Sequence, residues 1–128
     1  MRAILATAIF CLLAPLPVSA EVASWYGRES GPRTASGERF DPNAMTAAML
    51  RFRGKAVPFG TYVRVINESN GHSVVVRIND RGPAKWTHRD IDLSQGAARR
   101  IGCGGVCRVE LEIVEQPYRP AKGAWGAF

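Results

Sequence analysis

Apolar and polar residues alternate at a period of two through much of the chain. Tyr62-Val63-Arg64-Val65-Ile66 and Ser73-Val74-Val75-Val76-Arg77-Ile78 flank turn chemistry around Asn70-Gly71, which predicts a β-hairpin. Val109, Leu111 and Ile113 alternate with Arg108, Glu110 and Glu112, the pattern of a strand with one wetted face. Val22 to Tyr26 predicts a first strand that stops at Gly27. One short helix stands out. Ser94 is placed to cap it, Ala97, Ala98 and Ile101 share a side, Arg99 and Arg100 occupy its last turn, and Gly102 ends it.

The N-terminus follows another rule. Met1-Arg2, an apolar run from Ala3 to Leu13, and the small-residue triplet Val18-Ser19-Ala20 read as a secretory signal over residues 1–20. The apolar run is shorter than the ~20 residues that span hydrocarbon, which argues against a membrane anchor. Cys11 follows Ala8-Ile9-Phe10, unlike a lipobox, so no lipid anchor is expected either. What remains is enough for one domain, residues 21–115, followed by a tail at 116–128 rich in Pro and Gly and expected to be mobile. A periplasmic or secreted monomer is the expectation.

Charge and cysteines narrow the partners. The formal net charge is +6, and the signal removes only Arg2, so the remaining domain is basic. Such a surface favours anionic partners, and export makes nucleic acid the least suitable of them. Cys103 and Cys107 flank Gly104-Gly105-Val106, and in an oxidising compartment the pair reads as a local disulfide. Only His72 and His88 are available to complete a metal site, so neither a metal nor another cofactor is expected.

Three segments carry more glycine and polar residues than strands need: Ala23-Ser24-Trp25-Tyr26-Gly27, Thr34-Ala35-Ser36-Gly37-Glu38-Arg39-Phe40, and Asn79-Asp80-Arg81-Gly82-Pro83 followed by Ile91-Asp92-Leu93-Ser94. Together with Met45-Thr46-Ala47-Ala48 and Val57-Pro58-Phe59-Gly60-Thr61, they make residues 22 to about 114 resemble the rare lipoprotein A family. The resemblance implies a mainly β fold, a six-stranded double-psi β-barrel with one or two short helices. It also implies a peptidoglycan lytic transglycosylase, which cleaves the bond after N-acetylmuramic acid and leaves 1,6-anhydro ends on peptide-poor glycan strands. By motif, Glu38 and Asp80 match the family's functional carboxylates, with Asp80 first choice for the acid that later serves as base.

Plainer readings accompany each residue. Asn79 to Pro83 also suits a tight turn in which Asp80 holds backbone amides, and Arg81 is placed to pair with an acid or to bind substrate. Asp92, just before the Ser94 helix start, is explained by the helix dipole. Trp25, Tyr26 and Trp86 suit stacking on sugar faces, although Trp25 equally suits a core, and His88 is placed to reach the groove from another loop. One departure bears on activity: where the family places a histidine, this chain has Met49, followed by an inserted stretch from Leu50 to Lys55. A thioether carries no proton. A non-catalytic glycan-binding module, or an expansin-like one, is therefore the alternative.

Overall fold

A computed structural model of the chain describes residues 21–116, 118–120 and 122. The expected signal, residues 1–20, and most of the expected tail lie outside the described residues. Among the described residues no helix is long and apolar enough to cross a membrane.

Eight strands form among the described residues, and six of them close a barrel. The six are β1 (Glu21–Tyr26), β2 (Thr46–Ala48), β5 (Tyr62–Asn67), β6 (Ser73–Asp80), β7 (Ile91–Ser94) and β8 (Cys107–Ile113), in the order β1-β7-β2-β6-β5-β8. β1 runs parallel to β7 and β2 parallel to β6, while the other neighbours are antiparallel. This mixed closure is consistent with the double-psi barrel, and closing the sheet on itself pairs its edges. The inserted stretch is a small hairpin, β3 (Arg51–Phe52) against β4 (Lys55–Ala56), outside the barrel.

The period-two pattern fills the interior. Val63 and Val65 of β5, Val74, Val76 and Ile78 of β6, Ile91 and Leu93 of β7, and Val109 and Leu111 of β8 are all buried in one cluster. Ile113 breaks the pattern, since the rim leaves it half exposed. Helix α1 (Gln95–Arg100) starts at Ser94, whose Oγ accepts from Ala97 N at 3.1 Å and donates to Ala44 O at 2.6 Å. Capping the helix and holding the 39–44 segment are thus one side chain's work. A Cβ on Gly96 would sit 2.8 Å from Asn43 O, so glycine there lets that segment lie against the helix.

Cys103 and Cys107 are bonded and tie the turn after α1 to the start of β8. A loop this short restrains little of the unfolded chain, so the Cys103→Ser/Cys107→Ser variant is expected to lose only about 2 kcal/mol of stability in denaturant titration. In the tail, Tyr118 packs against Tyr62 with ring centroids 4.9 Å apart.

Candidate functional site

The side of β1, β7, β2 and β6 that faces away from the core carries the site. Ser24, Tyr26, Asp92, Thr46, Ala48 and Arg77 alternate with core residues on these strands, and the 27–45 segment folds over them. Tyr26, Phe40 and Ala48 form a small apolar cluster of their own there. The rings of Tyr26 and Phe40 stack at 4.8 Å and 14°.

Strict alternation would send residue 80 into the core beside Val76 and Ile78. The β2–β6 register instead jumps, with Ala47 opposite Ile78 and Ala48 opposite Asp80, leaving Asn79 as an extra residue. A one-residue bulge reverses the facing of the residues after it, and Asp80 emerges on the outer side. There its Oδ1 accepts from Ala35 N at 2.8 Å and Arg81 N at 2.9 Å, and its Oδ2 accepts from the Tyr26 hydroxyl at 3.2 Å. Burial, reinforced by the charge of Asp80, pushes the Tyr26 phenol far above its ordinary value, so it remains a donor.

The Thr34–Glu38 loop connects the two expected carboxylates. It is closed by Gly37 N to Thr34 O and Thr34 N to Glu38 O, each at 2.9 Å, with Gly37 at φ 87°. Ser36 N donates to Asn79 O at 3.1 Å, which pins the loop to β6. Glu38, at its end, is gripped by Arg77 in a fork: one guanidinium nitrogen donates to Oε1 at 2.5 Å and the other to Oε2 at 2.7 Å. Asn79 Nδ2 adds a longer contact at 3.4 Å. The hydrogen bonds from Arg77 hold the Glu38 carboxyl below the ordinary carboxylate range, so Glu38 is a fixed negative charge and not a proton donor. The arginine paired with a site acid is Arg77. Arg81 instead donates to Met49 O at 3.0 Å and lays its guanidinium 3.8 Å from the Phe59 ring centre.

Asp92 is the acid that periodicity undervalues. The helix-dipole explanation gives way to burial: its Oδ1 accepts from Ser24 Oγ at 2.9 Å across the β1–β7 pair, and it lies opposite Ala48, which on its other side faces Asp80. Burial pushes its carboxyl above the ordinary value. A raised native value means that the native state binds more protons than the unfolded chain, so stability falls as pH rises through the raised value. Asp92→Asn is therefore expected to melt higher than the parent at pH 7, with the gap closing below about pH 4. An unchanged gap across that range would show that the carboxyl is not desolvated.

The remaining expected residues divide. Tyr26 contributes its hydroxyl, since its ring is buried under Phe40 and is not free to stack on a sugar. Trp25 is 36% and Trp86 82% exposed, so both present ring surface. His88 is exposed at the end of the Lys85–Thr87 turn, and among the described residues no hydrogen bond joins its imidazole to Asp80 or Glu38. Met49 is fully buried among the core residues, so the side chain at the expected histidine position faces the barrel interior. Among the described residues, no group of three or more His, Cys, Asp and Glu side chains could hold a metal ion.

Comparison with known proteins agrees with the barrel fold. Residues 18–111 match the double-psi β-barrel family model described as lytic transglycolase. A Synechocystis protein named "Probable endolytic peptidoglycan transglycosylase RlpA" is 57% identical over 97 residues, covering 73% of this chain and 28% of the relative. The Neisseria meningitidis serogroup A protein named "Endolytic peptidoglycan transglycosylase RlpA" is 48% identical over 95 residues, 72% of this chain and 37% of the relative. The chain thus spans well under half the length of these relatives. Two solved structures share the fold: Streptomyces papain inhibitor (TM-score 0.58, 20% identity, 78% of this chain and 99% of that one) and a mutant Clavibacter michiganensis expansin in complex with cellohexaose (TM-score 0.57, 22% identity, 79% and 52%). With the family model running from the first barrel strand into the last, the chain belongs to the lytic transglycolase family.

Proposed function

We propose that this domain is a peptidoglycan lytic transglycosylase acting outside the cytoplasm on peptide-poor glycan strands, as a monomer exported by the signal at residues 1–20 and without a membrane anchor. The observation that carries the reading is the Asp80 carboxyl. Two backbone amides fix its Oδ1, and Oδ2 meets a single hydroxyl at the edge of the folded-over loop. A carboxyl so oriented presents one oxygen for proton transfer.

The reaction runs in two steps. Asp80 gives its proton to the glycosidic oxygen as the C1–O bond breaks and positive charge grows at C1 and the ring oxygen, while Glu38, anchored by Arg77, closes the loop whose Ala35 N–H holds Asp80. The C6 hydroxyl of the same sugar then attacks C1, returning its proton to Asp80. No water is consumed, the acid is regenerated, and the product carries a 1,6-anhydro end. Exposed Trp86, with Arg81, holds the strand, whereas Trp25 alternates with Ser24 and Tyr26 and so presents its ring from the other face of β1.

Met49 favours a second reading, a glycan-binding module without turnover, because a buried thioether supplies neither proton nor charge. The two are separated by incubating the domain with peptide-free glycan strands and identifying products by mass spectrometry. Anhydro-ended fragments support the enzyme. Strands that stay intact while retaining the protein support the binding module.

A further inference from the structure

The inserted hairpin, β3 against β4, takes no part in closing the barrel. Its charge is one-sided. No acidic residue stands between Asp41 and Glu68 in the sequence, while Arg51, Arg53 and Lys55 crowd into five positions of the hairpin. All three are exposed, and none forms an ion pair among the described residues. The Arg51 guanidinium donates to Gly54 O at 3.0 Å, and that of Arg53 lies 4.9 Å from the Phe52 ring centre. These contacts shape the turn and neutralise neither charge. Glu112, beside Ile113 on β8, is already paired with Arg64 at 3.2 Å.

Apolar surface adjoins the cations. Between the hairpin and the barrel rim lies a cavity of about 250 Å³, lined by Phe52, Ala56, Val57, Pro58 and Ile113, with Lys55 also in its wall. Ile113 is 44% exposed, and Phe59, next to Pro58, is 42% exposed. The volume falls below the roughly 300 Å³ at which pockets enclose a whole small ligand, so the cavity suits the end of an apolar chain. A free anion would meet the cations and leave the apolar mouth wet, and an uncharged apolar partner would do the reverse. An amphiphile with a negative head meets both.

We propose that this end of the barrel is a docking surface for an anionic phospholipid bilayer, with Arg51, Arg53 and Lys55 on the headgroup phosphates and Phe52, Phe59 and Ile113 entering the interface. The inference is independent of the glycan chemistry. Adsorption of this kind holds the domain at a membrane surface without a spanning helix or a covalent lipid.

The test uses the chain from Glu21, where the first barrel strand begins, and follows its sedimentation with vesicles of phosphatidylcholine alone or with one third phosphatidylglycerol. The domain is expected to bind the anionic vesicles and to leave the neutral ones largely free. Each cation at such a surface contributes about fivefold, so Arg51→Gln/Arg53→Gln/Lys55→Gln is expected to weaken binding on the order of a hundredfold. Arg99→Gln/Arg100→Gln/Arg108→Gln removes the same charge at the other end of β5, roughly 17 Å away at about 3.3 Å per residue, and is expected to change binding less than twofold. Ile113→Ser weakens it severalfold, and millimolar inorganic phosphate at constant ionic strength does not release the domain. Tm, measured for every variant, is expected to stay at the parent value. Equal binding to both vesicle types, or equal loss in the two triple variants, overturns the surface and reduces the effect to net charge. Release by phosphate, with Ile113→Ser binding like the parent, overturns it in favour of a free-anion site.

Discussion

Asp80→Asn is expected to reduce release of anhydro fragments by about 10²- to 10⁴-fold, the usual contribution of a positioned general acid and base. Binding of the glycan and the melting temperature are expected to change little. The reason lies in the hydrogen bonds. An asparagine carbonyl can still accept from Ala35 N and Arg81 N, and its amide can donate to the Tyr26 oxygen where the carboxylate accepted. Only the transferable proton is lost. Glu38→Gln makes an instructive contrast, because it leaves the Arg77 guanidinium without the counter-charge of Glu38. That variant lowers stability as well as rate, and the two losses are told apart by measuring Tm alongside turnover. An Asp80→Asn protein that is folded and as active as the parent would remove Asp80 from the chemistry.

The second large effect concerns Met49. Putting histidine at this position looks at first like a repair toward the family pattern, with a gain in rate. The structure leads to the opposite expectation. Met49 is fully buried among Ala47, Val57, Ile78 and other core side chains, and its backbone is already engaged, N to Asp80 O at 3.2 Å and O to Arg81. An imidazole there meets apolar neighbours and leaves ring nitrogens without partners, which is expected to cost about 2–4 kcal/mol in denaturant titration. The carbonyl of Asp80 accepts from Met49 N, so activity is expected to fall with stability. A folded Met49→His protein with raised turnover would show that the side chain at this position reaches the groove after all.

Much of the scaffold is legible in the chain. The 62–78 hairpin, the Ser94 helix and the last strand follow from period two, period 3.6 and capping chemistry, all of which are local signals. The barrel closure comes only with the resemblance, since it depends on parallel pairings between β1 and β7 and between β2 and β6 that no local pattern encodes. The same limit applies to the site. Asp80 and Glu38 are visible as motif residues, but the partner of each is not. Arg77 is 39 positions from Glu38, and Tyr26 is 54 from Asp80. Asp92 is easily discounted because its nearest feature along the chain is a helix start, whereas in the barrel it meets Ser24, 68 residues away. The extra residue at Asn79, which turns Asp80 outward, leaves no mark on hydropathy because Asn79 is itself buried. In the inserted 50–55 stretch, whose composition suits a solvated loop, Gly54 at φ 78° and Arg53 at φ 49° make the tight turn of a small hairpin.

In the proposed reaction the strand is cut without water, by its own C6 hydroxyl, with Asp80 carrying the proton both ways. The most direct measurement is digestion of peptide-free glycan strands in water enriched in heavy oxygen, with mass analysis of the new ends. The expected products are 1,6-anhydro ends that carry no label and are lighter by one water than hydrolytic products. Reducing ends labelled at C1 would contradict the proposed reaction and identify a hydrolase.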